Sequence, residues 1–536
     1  MKKMYFFIIL LLAFMNVNSQ YVQKVTSINY YGYNGLNPSN LTVFGGKLFF
    51  FGTDDPKYVD KLMYTPDGSA EGITIVKQID TVKQYSTLRH LTVLNTLLIF
   101  DNYDHLWTSD GTAAGTTSIA SLTVSQTNFV VLNSKVYFAG DNTNSNPIKD
   151  QLWQTDGTPG GTTLVKTINS SGGAAISSLF SYGGKVYFSA NDGVNQNQLW
   201  VSDGTAAGTS MLKKLNAAGA GYPSNFTAFN GKVYFKAQDG VNGVQLWSTD
   251  GTTAGTQEIT AINGQGNIGL QPSVLTVFGA KLFFMGIDRD NFYQLWSTDG
   301  TTAGTNTVKT DYTPAGGGAG FSPTSMAVHK NTLYLSGYDS LSKTVQLWKT
   351  DGTTAGTVKI TSFSKGLFPA KLYSFQSRLI FTGYDTISGQ EQLFASDGTA
   401  TGTVCPTPPD TWGQYPFYPW EAWVPFNNAL YYKGAYSYFA DYQLCRYSEN
   451  ASGIDRHSPE KFSVYPNPAS THLTIAADRT IASIKIVNQV GQMLFQSAII
   501  NQKSIILDCS TFANGMYLAE VTIDQKTVTQ KFIVRH

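Results

Sequence analysis

The feature that most limits how this chain can fold is a repeated segment, of which Gln245-Leu-Trp-Ser-Thr-Asp-Gly-Thr-Thr-Ala-Gly-Thr256 is a full copy. Its Asp-Gly pair returns at Asp67, Asp110, Asp156, Asp203, Asp250, Asp299, Asp351 and Asp397, each Asp followed five positions later by a second glycine. The spacing runs from 43 residues between Asp67 and Asp110 to 52 between Asp299 and Asp351. A period in this range marks a repeat architecture, in which each unit stacks on the next to bury a face it cannot bury alone.

Each unit reads as four short strands. In the stretch 226–237 two apolar runs flank Asn230-Gly231, a strong hairpin turn. Gln245-Leu-Trp-Ser-Thr249 makes a third strand, the Asp-Gly segment turns the chain, and Gln257 to Ile262 supplies a fourth. In a strand Leu246 and Trp247 point to opposite faces, so a repeated Leu-Trp pair requires a sheet covered on both sides. Stacked blades of a β-propeller provide that cover.

Nine such hairpins can be counted, from 43–51 to 424–432, and the last unit has a third strand at Gln443 to Tyr447 with no fourth after it. Gln23-Lys-Val-Thr-Ser-Ile-Asn29 looks like a fourth strand with no hairpin before it. Placed beside the last unit it would close the ring and remove two exposed sheet edges. The expectation is an all-β chain, a closed propeller of eight to nine four-stranded blades with nine favoured, followed by a small β-sandwich.

The organisation expected is a signal peptide over 1–19, a propeller over 20–452, a polar linker over 453–460 and a second domain over 461–536. Lys2 and Lys3, the apolar run from Met4 to Met15 and Val17-Asn-Ser19 fit an export signal. That run is shorter than the roughly 20 residues of a spanning helix, so no transmembrane segment is expected in the mature chain. A net charge of +1 without a basic stripe argues against nucleic acid. Three cysteines exclude a disulfide scaffold, and Cys405 with Cys445 is the plausible pair.

The repeat resembles exported bacterial proteins built from Glu/Gln-Leu-Trp-x-Ser/Thr-Asp-Gly-Thr-x-x-Gly-Thr units, a resemblance covering about 40–450 that implies a fold and no particular chemistry. The tail resembles the type A C-terminal sorting domain of type IX secretion, through Tyr465-Pro466-Asn467-Pro468, the turn at Gly491 and the segment holding Gly515 and Tyr517. That resemblance implies a Gram-negative cell, recognition of the tail by the type IX machinery, and a product released or held at the cell surface.

The Asp of each Asp-Gly turn is what a tight turn needs, since its carboxylate bonds nearby backbone and glycine accepts positive φ. Calcium needs several converging carboxylates; Asp54-Asp55 and Asp288-Arg-Asp290 are the weak candidates, and no cofactor is otherwise expected. Loops joining strands two to three, and one unit to the next, should share the rim opposite the Asp-Gly turns and vary most, which makes that rim the expected binding face. Its most unusual loop carries Trp412, Tyr415, Phe417, Tyr418 and Trp420, a platform for sugar rings or a protein contact, or else a seal on the closing blade. No nucleophile elbow or metal-spaced histidines occur. The reading is a binding or adhesion module for a glycan, polymer or protein, the alternative a secreted hydrolase whose acids converge on the variable rim.

Overall fold

A computed structural model of the chain describes residues 21–26, 35–53, 59–79, 88–142, 149–262, 266, 268–311, 320–386, 389–406, 418–419, 422–435, 442–449, 462–488, 492–523 and 526–536. Every regular element among them is a strand. The chain divides into two compact units, Met1–Asn450 and Ala451–His536.

The first unit is a nine-bladed propeller. Blade 1 holds Ser39–Phe44, Lys47–Gly52, Lys61–Thr65 and Thr74–Gln78 as an antiparallel sheet, strands a to d in chain order. Strands a of successive blades lie beside one another and so surround the axis. Blade 8 keeps Ala370–Phe375, Arg378–Asp385 and Gln390–Ser396, and its strand d shrinks to a single bridge between Ala395 and Val404. Blade 9 takes Val424–Phe426, Ala429–Ala435 and Tyr442–Ser448 from the far end of the unit and Tyr21–Lys24 from its start, with Tyr21 opposite Ser448 and Lys24 opposite Cys445. Thr26 adds a side-chain latch, its hydroxyl donating to Gln443 Oε1 at 2.6 Å while accepting from the Leu444 N–H at 3.1 Å. The ring closes through an N-terminal strand as expected, although that strand runs Tyr21–Lys24 rather than 23–29, of which 27–29 lie outside the described residues.

What holds the blades together is the Leu-Trp pair of strand c. Leu199 and Trp247 share one buried cluster between blades 4 and 5, and Leu246 and Trp296 share the next. Leu62 with Trp107, Leu106 with Trp153, Leu152 with Trp200 and Leu295 with Trp348 repeat the arrangement. In blades 1, 8 and 9 the Trp position holds Met63, Phe394 and Cys445, packed in clusters with Leu444, Leu347 and Leu393. Each Leu thus faces the following blade and each Trp the preceding one. In blades 2 to 6 the Trp also lies opposite a Phe of its own strand b: Phe284 and Trp296 stack with centroids 6.4 Å apart.

No disulfide joins Cys405, Cys445 or Cys509. The expected Cys405–Cys445 pairing does not form, because Cys445 fills the Trp position between blades 8 and 9 while Cys405 packs against the cluster between blades 7 and 8.

Two backbone features shape the inner part of the blades, the first in line with the turn read at Asn230-Gly231 and the second not anticipated in the sequence. Six of the hairpin turns place both central residues at positive φ, Asn230 and Gly231 among them, the twist-matched turn of tight hairpins. Strand a of blades 1, 2, 4, 5, 6 and 8 carries a bulge, at Asn40, His90, Ser178, Asn225, Val274 and Lys371, all at positive φ. These bulges sit on the inner edge of each sheet and bend a row of backbone groups that would otherwise invite pairing.

The second unit is one five-stranded sheet, Phe462–Tyr465, His472–Asn488, Met493–Asp508, Gly515–Ile523 and Lys526–Val534. The strands His472–Asn488 and Met493–Asp508 are long and irregular in register, and a parallel bridge from Ala469 to Val534 brings the sheet nearly closed into a barrel. Where a sandwich has two facing sheets, here a single sheet wraps one core of Leu473, Ile475, Ile484, Val521 and Phe532.

Replacing Trp247 by Ala should cost about 3–5 kcal/mol through the cavity it leaves between blades 4 and 5, read as a lower midpoint in urea denaturation with the sheet signal retained in native buffer.

Candidate functional site

Antiparallel order puts the a–b hairpin turns and the Asp-Gly turns on one rim, and the b–c loops and blade-to-blade crossovers on the other. The Asp-Gly rim spends its polar groups on itself. Asp250 Oδ1 accepts the Thr252 N–H at 2.8 Å and the Thr252 hydroxyl at 2.7 Å. Thr252 Oγ1 accepts the Gly255 N–H at 2.9 Å, and Thr249 Oγ1 lies 2.7 Å from Thr256 Oγ1 and accepts the Gly251 N–H at 3.0 Å. The same carboxylate bonds recur at Asp110, Asp156, Asp203, Asp299, Asp351 and Asp397, and Ser69 replaces the Thr at Asp67. A Cβ at Gly255 would collide with the Asp250 carboxylate, and Gly251 sits at φ 88° under the Tyr187 hydroxyl of blade 4. Both glycines are therefore required by close approach.

These hydroxyl and backbone bonds hold the Asp250 carboxyl below its ordinary range, and its seven counterparts are lowered as well. What the ionised turns contribute is present above the ordinary carboxylate value and lost as pH falls through the lowered one.

The opposite rim is built from crossovers with a repeated form: Leu36-Asn37-Pro38, Gly221-Tyr222-Pro223, Leu270-Gln271-Pro272, Phe321-Ser322-Pro323 and Leu367-Phe368-Pro369. The middle residue stands at φ 46°, 46°, 51°, 45° and 50° respectively. Two sets of backbone bonds hold this strained corner. The Tyr384 N–H donates to the Leu367 carbonyl at 2.6 Å from the same blade, and the Leu367 and Phe368 N–H groups donate to the Val345 carbonyl of the preceding blade at 2.9 and 3.1 Å. The Gln that precedes the Leu-Trp pair in blades 3 to 7, which the sequence did not single out for a role, fixes the start of the crossover: buried Gln198 accepts the Leu215 N–H at 2.8 Å and donates to the Gly219 carbonyl at 2.7 Å. The recurring residue-Pro step was the available signal for these corners.

The crossover corners and b–c loops present apolar side chains to solvent. Val194, Val241 and Leu341 on b–c loops are 84%, 72% and 91% exposed, and Tyr222 and Phe368 on crossovers 60% and 47%. Among the described residues these are the five most exposed large apolar side chains of the propeller, and all lie on this rim. Between blades 7 and 8 the rim also holds a cavity of about 350 Å³.

The acids that end strand b serve their own loops. Asp192 accepts the Val194 and Asn195 N–H groups at 2.9 and 2.7 Å, and Asp239 accepts those of Val241 and Asn242, both at 2.8 Å. Asp288 accepts the Asp290 and Phe292 N–H groups, both at 3.0 Å, and the Gln294 amide at 3.0 Å. The structure thus brings Asp288 and Asp290 into one loop and spends Asp288 on holding it. Among the described residues no group of three or more His, Cys, Asp and Glu side chains gathers as metal ligands would. Asp54 and Asp55 lie outside the described residues, as do Trp412, Tyr415, Phe417 and Trp420. Tyr418 falls in a two-residue strand opposite Ala435.

Blade 2 carries a buried charged cluster. Buried Asp101 accepts Arg89 Nη2 and lies against His90 Nδ1, each at 2.6 Å, while His90 stacks on Phe129 with centroids 4.7 Å apart. His329 is a different case, since its Nδ1 lies 2.9 Å from Ser374 Oγ and its Nε2 3.1 Å from the Ser377 carbonyl. Burial lowers its affinity for a second proton, and its two ring contacts join blades 7 and 8 out of reach of solvent.

In the C-terminal unit the motif residues meet at the last strand. Asn467 Oδ1 accepts the Ile533 N–H at 2.8 Å, Gly515 lies opposite Val534, and buried Tyr517 stacks on Phe532 with its hydroxyl donating to the Ala513 carbonyl at 2.6 Å. Pro466 and Pro468 follow cis peptide bonds and Tyr465 is exposed. Gly491 lies outside the described residues. Residues 463–535 match the secretion system C-terminal sorting domain. The sorting domain implies secretion or attachment at the cell surface, with the type IX machinery as its partner.

No curated protein sequence matches the chain. Among solved structures, a puromycin hydrolase is similar at 12% identity and a TM-score of 0.32, over 67% of this chain and 58% of that one. A puromycin-hydrolyzing peptidase of Mycobacterium tuberculosis is similar at 12% identity and a TM-score of 0.35, over 74% of this chain and 57% of that one. The extracellular domain of a putative hybrid two component system from B. thetaiotaomicron gives 12% identity and a TM-score of 0.26, over 92% and 77%. The chain spans under two thirds of the length of either peptidase, and likeness at this level carries nothing about chemistry.

One acid on blade 5 titrates in the neutral range. Burial, with the Asp239 charge adding to it, pushes Glu258 up to about 7 from an ordinary 4.5. The folded chain then binds this proton more tightly than the unfolded one, so the stability that protonation supplies declines as pH rises from about 4.5 to about 7. Glu258→Gln should match the parent near pH 4 and exceed it by about 1 kcal/mol near pH 8, an amount discounted for the partial exposure of the group, as measured by urea denaturation at both pH values.

Proposed function

We propose that the exported chain is a binding or adhesion module that engages an extracellular glycan, polymer or protein across the rim carrying the crossovers and b–c loops. One observation carries the reading: the five most exposed apolar side chains described in the propeller, Val194, Tyr222, Val241, Leu341 and Phe368, all stand on that rim. A soluble scaffold that otherwise buries its apolar groups keeps such side chains outward where a partner covers them. Strained, doubly anchored corners support the same reading, because rigid presentation lowers the ordering cost of binding.

The export route would begin with a signal peptide over 1–19 and end with the sorting domain over 461–536, joined to the propeller of 20–452 by the linker 453–460. The aromatic loop of Trp412, Tyr415, Phe417, Tyr418 and Trp420 would extend the same face. Hydrolysis stays the alternative class, although Asp192, Asp239 and Asp288 are each committed to loop hydrogen bonds.

The test is binding of the purified exported chain to an array of glycans and cell-wall polymers, with calcium and with chelator. A Val194→Ser, Val241→Ser, Leu341→Ser variant, which alters exposed positions only, should weaken a specific hit about tenfold or more. A hit untouched by that variant and lost on changing the Asp-Gly rim would overturn the assignment of the face. The absence of any hit would overturn glycan and polymer binding.

A further inference from the structure

The cavity of about 350 Å³ lies where blade 7 meets blade 8 on the crossover rim. Its walls include Val345, the Phe368 ring and Pro369, with Ala370 beyond them, while Ser322 and Tyr338 bring hydroxyls. None of its lining residues is charged. Phe368 is anchored rather than draped. Its backbone stands at φ 50°, its N–H is tied to the Val345 carbonyl, and the adjoining Leu367 carbonyl is tied to the Tyr384 N–H.

In blades 4 and 5 the equivalent corners are filled from within. In blade 4 the strand-end pair is Asn191 and Asn197, and the Asn197 amide donates to the Ala175 carbonyl at 3.2 Å. In blade 5 the Gln238 amide donates to the Ala220 carbonyl at 2.9 Å. Blade 7 places Tyr338 opposite Val345 at that position. Neither the Ser322 hydroxyl nor the Tyr338 hydroxyl has a hydrogen-bond partner among the described residues. Compared with blades 4 and 5, this corner has an aromatic side chain in place of the bonding amide, and it leaves the Ser322 and Tyr338 hydroxyls without a partner among the described residues.

We infer that this cavity is a subsite for a neutral pyranose unit of a glycan, which rests on the binding role proposed above and names its ligand class. A pyranose ring has an apolar face of C–H groups and a rim of hydroxyls. The first matches the Phe368 ring and Pro369, the second matches Ser322 and Tyr338. An uncharged wall offers nothing to repay desolvation of a carboxylate or sulfate, which excludes acidic sugars. A purely apolar side chain would cover the wall and strip water from the hydroxyls without replacing its hydrogen bonds. The volume falls within the range of small-ligand pockets, which are mostly apolar with a few placed polar groups.

The experiment is calorimetric titration of the purified exported chain with neutral hexasaccharides of β-1,4-glucan, α-1,4-glucan and β-1,4-mannan, with oligogalacturonate as the acidic probe. At least one neutral probe should bind and the acidic one should not. Phe368→Ala should lower affinity about tenfold or more, Phe368→Tyr should retain it, and Tyr338→Phe with Ser322→Ala should lower it severalfold. Phe368 is half exposed, so an unchanged melting temperature checks that the variant folds. Neutral binding that survives Phe368→Ala would overturn this subsite and leave the binding role standing. Binding of the acidic probe alone would overturn the ligand class. If none of these probes bound, the subsite would fall, and a hit on the wider array would then separate its failure from that of the binding role.

Discussion

The propeller depends on one interaction made nine times: the Leu of a strand c packs toward the following blade, and the Trp beside it, or its replacement, toward the preceding one. Because adjacent residues of a strand point to opposite faces, a single dipeptide commits each sheet to two neighbours. No blade can be terminal without exposing a Trp on one face or a Leu on the other. The N-terminal strand Tyr21–Lys24 follows from the same constraint, since it finishes blade 9 and lets Leu444 of that blade meet Met63 of blade 1. Closure by the two ends of the unit makes the ring a topological loop as well as a packed one.

A ring held in this way leaves its two rims to different tasks. On one, each Asp-Gly turn bonds to itself, while neighbours are stitched together by contacts such as Lys166 Nζ to the Thr209 carbonyl at 2.7 Å and Lys77 Nζ to the Thr116 carbonyl at 2.6 Å. Few polar groups there remain for a partner. On the other, buried Gln side chains and paired backbone bonds fix the crossovers, so loop tips and corner residues can vary at little cost to the core. Function is free to collect where sequence variation does not disturb the Leu-Trp stack.

The fold was legible because its determinants are local and repeated. Gln-Leu-Trp, Asn230-Gly231 and Asp-Gly each declare a strand or a turn within a few residues, and the lone N-terminal strand declared the closure. The site was less legible. The cavity between blades 7 and 8 joins Ser322, Tyr338, Val345 and Phe368, which are far apart in sequence and form no motif. The positive-φ corners escaped notice because a residue before Pro is usually extended, and only the paired bonds from two blades hold Tyr222 and Phe368 otherwise. The aromatic loop around Trp412 drew attention by composition alone, and neighbouring places in the repeat were not enough to join Cys405 and Cys445 in a disulfide.

Closure of the nine-bladed ring is the claim on which the two rims, the cavity and the export-ready compact unit all rest, and amide hydrogen exchange of the intact chain tests it directly. Strand c of blade 9, Tyr442–Ser448, should be protected nearly as strongly as its counterpart Val244–Thr249 in blade 5, and removal of residues 20–26 should abolish that protection while sparing blade 5. Fast exchange over 442–448 in the intact chain, or protection unchanged by the removal, would contradict a ring closed by its N-terminal strand.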